Sequence, residues 1–99
     1  MRYVLSFNIV PGKGEEFWSF VDSKVIPFWE KFDQVKSVEI FTTLGGETLH
    51  EAYVEMPDYK TFDNISRDNE FEPVSVEFLT LTQDLHRKFL TEERQLVVH

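Results

Sequence analysis

Apolar residues occupy every second position at the start of the chain, and this period of two predicts a β-strand over residues 3–10. The side that is expected to face the core holds Tyr3, Leu5, Phe7 and Ile9. The other side holds Val4, Ser6, Asn8 and Val10. Proline and glycine within residues 11–14 predict a turn that ends the strand.

The next segment changes to the spacing of an α-helix, with two glutamates in its first turn, where negative charge is favoured. Its apolar positions form two neighbouring stripes, which are Phe17, Phe20, Val21, Phe28 and Phe32 in one and Trp18, Val25 and Trp29 in the other. Trp18 and Trp29 are about three helical turns apart, so we expect them on one side of the helix. Pro27 lies inside the pattern and predicts a kink or break near Ser23.

Two segments rich in β-branched residues, 35–44 and 48–56, predict the second and third strands. The glycine pair at positions 45 and 46 predicts a hairpin turn between them. If this hairpin is tight, Phe41 lies opposite His50 on the neighbouring strand.

The second half of the chain begins with a helix for which Asp58 is the expected N-terminal cap. Polar residues 68–70 interrupt that helix, and Pro73 fits the first turn of a new helical segment. In the new segment apolar residues keep helical spacing, and they are Val74, Phe78, Leu81, Leu85 and Phe89. We therefore expect the last strand over residues 92–98, while a start as early as Leu85 also fits the pattern.

The predicted order of elements is β-α-β-β-α-β. Right-handed crossovers turn this order into a ferredoxin-like α+β fold, a four-stranded antiparallel sheet with both helices on one face. No linker or repeat divides residues 1–99, so we expect a single domain. The other sheet face has no helix to cover it, although Val4, Val10 and residues of the hairpin make it partly apolar. We therefore expect a homodimer in which two copies pack sheet to sheet.

The composition of the chain argues against several classes of binding partner. A formal net charge of −8 argues against nucleic acid and anionic membranes. The chain has no cysteine, which removes disulfides and thiolate metal sites, and we expect no metal. Phe17 stands where a dinucleotide-binding fingerprint beginning at Gly12 needs its third glycine, so we also expect no cofactor. The first residues alternate like a strand, unlike a signal peptide, and no stretch is apolar enough to span a bilayer, which makes the cytoplasm the expected location.

Among the polar residues, His50 is the best candidate for a catalytic role. It lies on a predicted strand among apolar neighbours, and imidazole can act as a general base near neutral pH. In the register of a tight hairpin, Glu39 lies on the same side of the sheet as His50. Glu39 and His50 are therefore weak candidates for an acid–base pair. The alternative is a histidine held in the core by hydrogen bonds.

Aromatic residues form 15% of the chain, and ten of them are phenylalanines. This amount of flat apolar surface favours a pocket or a subunit interface in addition to a core. Trp18, Trp29, Phe41 and His50 are therefore candidate ligand-binding residues. Packing of the same rings in a filled core is the alternative.

The chain resembles the dimeric α+β barrel superfamily, and in pattern it is similar to the antibiotic-biosynthesis-monooxygenase-like and NIPSNAP-like domains. The resemblance rests on the element order, on the length, and on the segments 11–17 (PGKGEEF), 56–62 (MPDYKTF) and 68–71 (DNEF). It implies two sheets that form a barrel across a dimer, with a cleft between helices and sheet in each subunit. Members of the superfamily include cofactor-independent oxygenases, isomerases and haem-degrading enzymes.

The haem-degrading branch of this superfamily uses an asparagine on the first strand, and a tryptophan and a histidine on the second helix. Asn8 lies on the first strand, one position away from that asparagine, and is kept as a candidate ligand-binding residue. Ile65 and Ser75 stand near the positions of the tryptophan and the histidine. We therefore do not expect haem degradation.

These features lead to two expectations about function. The first is a cleft that binds a small hydrophobic or aromatic molecule, with cofactor-independent monooxygenase or isomerase chemistry if the protein is an enzyme. The second is a non-enzymatic binding or assembly module whose cleft is filled by its own side chains.

Overall fold

A computed structural model describes residues 1–97 of the chain. Its elements in chain order are β1 (Arg2–Ile9), α1 (Gly14–Phe20), a π-helical segment (Val21–Val25), α2 (Ile26–Glu30), β2 (Ser37–Thr42), β3 (His50–Glu55), α3 (Tyr59–Ser66), α4 (Phe71–Leu81) and β4 (Thr82–Leu90). The four strands form one antiparallel sheet in the order β2-β3-β1-β4. The predicted ferredoxin-like α+β fold is confirmed.

The helices pack on the sheet face that carries the odd-numbered residues of β1. This face, called the helix-covered face below, contains Tyr3, Leu5 and Phe7 of β1 and, paired with them, Val54, Ala52 and His50 of β3. Phe7, Phe17 and Phe28 are fully buried between the two layers. Burial of one such side chain stabilises the fold by about 1.5–3 kcal/mol, so these rings hold the helices on the sheet.

The first helical region is interrupted where its proline predicts a break. Pro27 has no N–H to donate to the carbonyl of Ser23, and the chain inserts the π-helical segment directly before it. Within this segment the N–H of Ile26 donates to the carbonyl oxygen of Val21, five residues earlier. The predicted kink near Ser23 is confirmed.

The same segment separates the two tryptophans. One extra residue in a helical turn rotates everything beyond it by roughly 100° relative to a regular α-helix. Trp29 is accordingly buried at 7% exposure, whereas Trp18 is 41% exposed. The expectation that they share one side of the helix is wrong.

The predicted position of the last strand is also wrong. Helix α4 ends at Leu81, and β4 occupies residues 82–90 instead of 92–98. Residues 91–97 form no helix or strand, and position 98 lies outside the described residues. The early start that the pattern also allowed, at Leu85, is nearer to the observed strand.

Strand β4 contains a β-bulge near its start. The partners of Ser6 and Asn8 on β4 are His86 and Gln83, so β4 has one extra residue here. Asp84 takes a left-handed conformation (φ 56°) at this point. Leu85 and Phe89 are four residues apart, a spacing that fits both a strand and a helix, so together with Leu81 at the end of α4 they imitate a continuing helix.

Helix α3 begins at the expected cap. The Asp58 carboxylate accepts hydrogen bonds from the backbone N–H of Thr61 at 2.9 Å and from its hydroxyl at 2.8 Å. The backbone hydrogen bond is the larger cause that holds the pKa of Asp58 below its ordinary value.

We expect Asp58→Ala to lower the midpoint of urea unfolding at neutral pH, because a helix N-terminus loses its acceptor. Asp58→Asn, which keeps an acceptor, is the matched control and should stay close to wild type. The lowered pKa means that the carboxylate's contribution is present above its unfolded pKa and is lost as pH falls through the lower folded value. The wild-type and alanine midpoints should therefore converge in acid, and identical midpoints at neutral pH would contradict the assignment.

Candidate ligand cavity

A cavity of about 240 Å³ lies between the helices and the helix-covered face of the sheet. Most of its lining is apolar and consists of Leu5, Val21, Val25, Trp29, Val38, Ile40, Ala52, Val54, Phe71, Val74, Phe78, Leu79 and Leu85. An apolar cavity of about 150 Å³ holds one benzene molecule. This cavity therefore has room for a flat molecule of one or two rings.

Three polar side chains complete the lining, namely Tyr3 on β1, Ser75 on α4 and Arg87 on β4. Arg87 pairs with Leu5, two residues along from Tyr3 on the same face, so the guanidinium and the phenol belong to one part of the wall. None of the ion pairs within residues 1–97 involves Arg87. In a chain with a net charge of −8, the cavity thus carries a cation without a carboxylate partner in this part of the protein.

Burial raises the pKa of Tyr3 above its ordinary value, and the neighbouring Arg87 guanidinium offsets part of that rise. The phenol therefore stays protonated at neutral pH and can donate a hydrogen bond. A neutral donor beside a fixed cation suits an oxygen that carries or develops negative charge.

Neighbouring rings fix the position of Tyr3. Its ring centroid lies 4.6 Å from that of Phe62, 5.2 Å from that of Phe89 and 6.3 Å from that of Trp29. Phe62 and Phe89 also contact each other at 4.9 Å. Because these contacts restrict the phenol to one orientation, its hydroxyl is a pre-positioned donor.

His50 lies outside this cavity. Its ring stacks on Phe7 at 5.7 Å and meets the edge of Trp18 at 6.0 Å. Phe7 in turn packs against Phe78, which lines the cavity. His50 Nδ1 is buried and has no hydrogen-bond partner within residues 1–97. His50 is therefore separated from the cavity by two aromatic rings.

No family model matches the sequence, and no curated protein matches it either. Solved structures do match. The cofactor-independent oxygenase SnoaB from Streptomyces nogalater is 15% identical, with a TM-score of 0.78 over 96% of this chain and 94% of that chain. A putative antibiotic biosynthesis monooxygenase from Bacteriodes thetaiotaomicron is 12% identical, with a TM-score of 0.74 over 100% and 94% of the two chains. An uncharacterized NIPSNAP domain protein from Burkholderia xenovorans is 12% identical, with a TM-score of 0.68 over 98% of each.

The chain shares the ferredoxin-like α+β fold of these proteins. The likeness extends over almost the whole length of each compared protein, so it includes both the sheet and the helices that pack on it. Sequence identities this low show the fold alone, and the chemistry has to be argued from the cavity.

Within the sheet, the register of the β2–β3 hairpin differs from the one expected. Thr42 lies opposite His50, and Phe41 lies opposite Glu51. The connection is a loop over residues 43–49 and not a two-residue turn. A shift of one residue moves a side chain to the other face of a sheet, so Phe41 cannot share a site with His50.

Glu39 is moved away from His50 by the same shift. It pairs with Tyr53 on the sheet face opposite the helices, whereas His50 lies on the helix-covered face. The expected acid–base pair is therefore not formed.

The side chain of Asn8 forms hydrogen bonds within the sheet and does not line the cavity. Its side-chain oxygen accepts a hydrogen bond from the Leu49 N–H at 2.8 Å, and its nitrogen donates to Asp84 at 3.0 Å. These bonds tie the start of β3 to the bulge of β4. Of the residues selected from the sequence as ligand-binding candidates, Trp29 is the one that lines the cavity.

Sequence reasoning did not identify Tyr3, Ser75 and Arg87 as site residues. The available signal was Arg87 between Leu85 and Phe89, a cation in the middle of an apolar period of two. It was hidden because the same residues fit the extended helix.

Two further features are absent from residues 1–97. Within residues 1–97, no three histidine, aspartate or glutamate side chains gather as they would around a metal ion. The helices of this part of the chain are too short and too polar to cross a membrane.

Filling the cavity should abolish binding of a small aromatic compound. We expect 1-naphthol at about 100 times its Kd to stabilise the wild-type protein by about 2.7 kcal/mol, seen as a rise in Tm of several degrees. Val74→Phe places a ring in the cavity and should remove this rise. Val76→Phe on the same helix is the control, since Val76 is 53% exposed and does not line the cavity. Equal Tm shifts in both variants would show that the compound binds elsewhere.

Proposed function

We propose that this protein binds a small, flat aromatic compound with an acidic hydroxyl group in the cavity and promotes its cofactor-independent oxygenation. The observation that carries the proposal is the placement of Tyr3 and Arg87, a hydrogen-bond donor and a cation, in an otherwise apolar cavity of about 240 Å³. Apolar walls bind the rings, and the polar pair orients the hydroxyl oxygen.

The lining of the cavity also limits how the substrate loses its proton. It contains no carboxylate and no imidazole, and Tyr3 stays protonated. The proton therefore leaves to water, which can reach the cavity because Leu79 and Arg87 in its lining are exposed. The Arg87 cation lowers the pKa of a bound hydroxyl and so favours its anion. An electron-rich aromatic anion of this kind can pass electrons to dioxygen without a cofactor.

The fold comparison supports the oxygenation part of the proposal. SnoaB, which is described as a cofactor-independent oxygenase, has the same fold over nearly the whole chain. To that fold this chain adds an apolar cavity between helices and sheet, with the polar side chains of Tyr3 and Arg87 in its lining.

A binding module without catalysis is the second candidate function. The observation that favours it is the same lack of a base among the cavity residues. Both candidates require ligand binding, and oxygen consumption separates them.

The proposal includes a homodimer that is formed through the sheet face opposite the helices, called the open face below. A sheet in a two-layer fold needs a cover on any face that holds apolar side chains. Phe41 on this face is 48% exposed and Leu90 is 40% exposed. A second copy would cover both.

Arg87→Met should weaken binding of 2-hydroxy-1,4-naphthoquinone, an aromatic anion at neutral pH, by about 10-fold or more, because a hydrogen bond to a charged group is worth about 1.5–3 kcal/mol. Quenching of tryptophan fluorescence gives the Kd. Naphthalene, which has no oxygen, should bind both proteins alike. Arg94→Met is the control, since this residue is exposed in the segment without helix or strand. The same Kd for all three proteins would exclude Arg87 as the anion's partner.

Oxygen consumption tests the chemistry separately. We expect the wild-type protein, treated with a chelator, to accelerate oxygen uptake by 1,4-dihydroxynaphthalene above the rate without protein. Oxygenation inserts one oxygen atom and gives 2-hydroxy-1,4-naphthoquinone and water, whereas simple autoxidation gives 1,4-naphthoquinone and hydrogen peroxide, so the product must be the hydroxylated quinone. Arg87→Met should lower this acceleration by about 10-fold, for the same reason as above. Binding of the quinone without any acceleration would favour the non-enzymatic module.

A further inference from the structure

The hydroxyl of Ser75 on α4 lies in the cavity wall without a hydrogen-bond partner. A serine inside a helix ordinarily bonds back to the preceding turn or points to solvent. Ser66 donates to a carbonyl of its own helix at 2.7 Å, and Thr82, directly after α4, donates back to that helix at 2.8 Å. Ser75 makes no such bond within residues 1–97, and it is half-buried. Its hydroxyl is therefore not used by the helix.

An unused hydroxyl at this position does not favour folding. Alanine would be a better helix former than Ser75 and would bury no unpaired polar group. The hydroxyl can donate one hydrogen bond and accept others. Since Ser75 lines the cavity, a polar atom of a ligand is the partner that would satisfy it.

Helix α4 runs along β1, so positions on the helix can be matched with levels of the sheet. At one end, Phe71 contacts Phe62 at 5.9 Å, and Phe62 contacts Tyr3 at 4.6 Å. At the other end, Phe78 contacts Phe7 at 5.1 Å. The helix therefore extends from the level of Tyr3 to the level of Phe7.

Ser75 lies near the middle of this span, at the level of Leu5. It is four residues beyond Phe71, which is about 6 Å along the helix, and Leu5 is two residues beyond Tyr3, which is about 6.6 Å along the strand. Arg87 of β4 pairs with Leu5. Ser75 and Arg87 therefore lie in opposite walls of the cavity at one level, one in the helical layer and one in the sheet.

We infer that Ser75 binds a second oxygen of the ligand, so that the preferred compounds carry two oxygens in para positions of one ring, as in 1,4-dihydroxynaphthalene. The first oxygen lies at Tyr3 and Arg87 against the sheet, and the second lies at Ser75 against α4. The inference rests on the binding function proposed above and adds the position of the second oxygen.

The two walls determine where this second oxygen is placed on the ring. Oxygens on neighbouring carbons point towards the same wall, whereas para oxygens point in opposite directions. The helical wall around Ser75 is apolar and consists of Val74, Phe78 and Leu79. An oxygen placed against these side chains would lose its hydrogen bonds to water without replacement. A compound without the para oxygen would leave the Ser75 hydroxyl unpaired, so the same residue also discriminates between ligands.

Matched ligands test the inference. Calorimetric titration under nitrogen, where the diols do not oxidise, gives the Kd of 1-naphthol and of 1,2- and 1,4-dihydroxynaphthalene. Ser75→Ala should raise the Kd of the 1,4-isomer by about 5-fold, the change that one hydrogen bond between neutral groups corresponds to. It should leave the Kd of the other two compounds unchanged. Ser66→Ala removes a half-buried hydroxyl that does not line the cavity, so this control should bind all three compounds like wild type.

The outcomes separate this inference from the proposed function. An unchanged Kd of the 1,4-isomer in Ser75→Ala, while Arg87→Met still weakens binding of 2-hydroxy-1,4-naphthoquinone, would overturn this inference alone. An equal loss of affinity for all three compounds in Ser75→Ala would also overturn it, because the hydroxyl would then contact the first oxygen or the ring. A wild-type protein that does not bind 1-naphthol would overturn both.

Discussion

The pairing of β1 with both of its neighbours is the constraint on which the rest of the structure depends. This strand lies between β3 and β4, and its side chains alternate between two environments. Tyr3, Leu5 and Phe7 face the helices and form the floor of the cavity or its surroundings, whereas Val4 and Ser6 face the open side. A slip of one residue would exchange the two sets and remove the cavity.

The cavity lowers the stability of the folded state. Unfilled apolar space costs about 24 cal/mol per Å³ in well-packed cores. For a fully closed cavity of about 240 Å³ this would be on the order of 6 kcal/mol, and the cavity here costs less than that because part of its lining is exposed to water. Side chains could have filled this space, as they do around Phe17 and Phe28, which are fully buried. A cavity that is retained at this cost, with Arg87 in its wall, is better explained by a ligand than by folding.

Local signals in the sequence were enough to predict much of the fold. The alternation in β1, the cap at Asp58 and the break before Pro27 each depend on residues that are close in sequence, and all three were predicted. The hairpin register and the position of β4 depend instead on partners far along the chain. The bulge at Asp84 and the loop at residues 43–49 set them, and neither leaves a clear trace in the pattern of apolar residues. Arg87 was missed for this reason, and Phe41 and Glu39 were placed on the wrong face.

The most direct test of the central claim, that Arg87 and the apolar walls form a binding site for an aromatic anion, is a map of ligand contacts by nuclear Overhauser effects. The measurement would use methyl-labelled protein and 2-hydroxy-1,4-naphthoquinone. The account predicts contacts from the ligand ring to methyl groups of Val54 and Val74, which line the cavity. It predicts none to Leu44 and Leu49, which are exposed on the hairpin loop. Contacts confined to these exposed residues, with none to the cavity methyl groups, would contradict it.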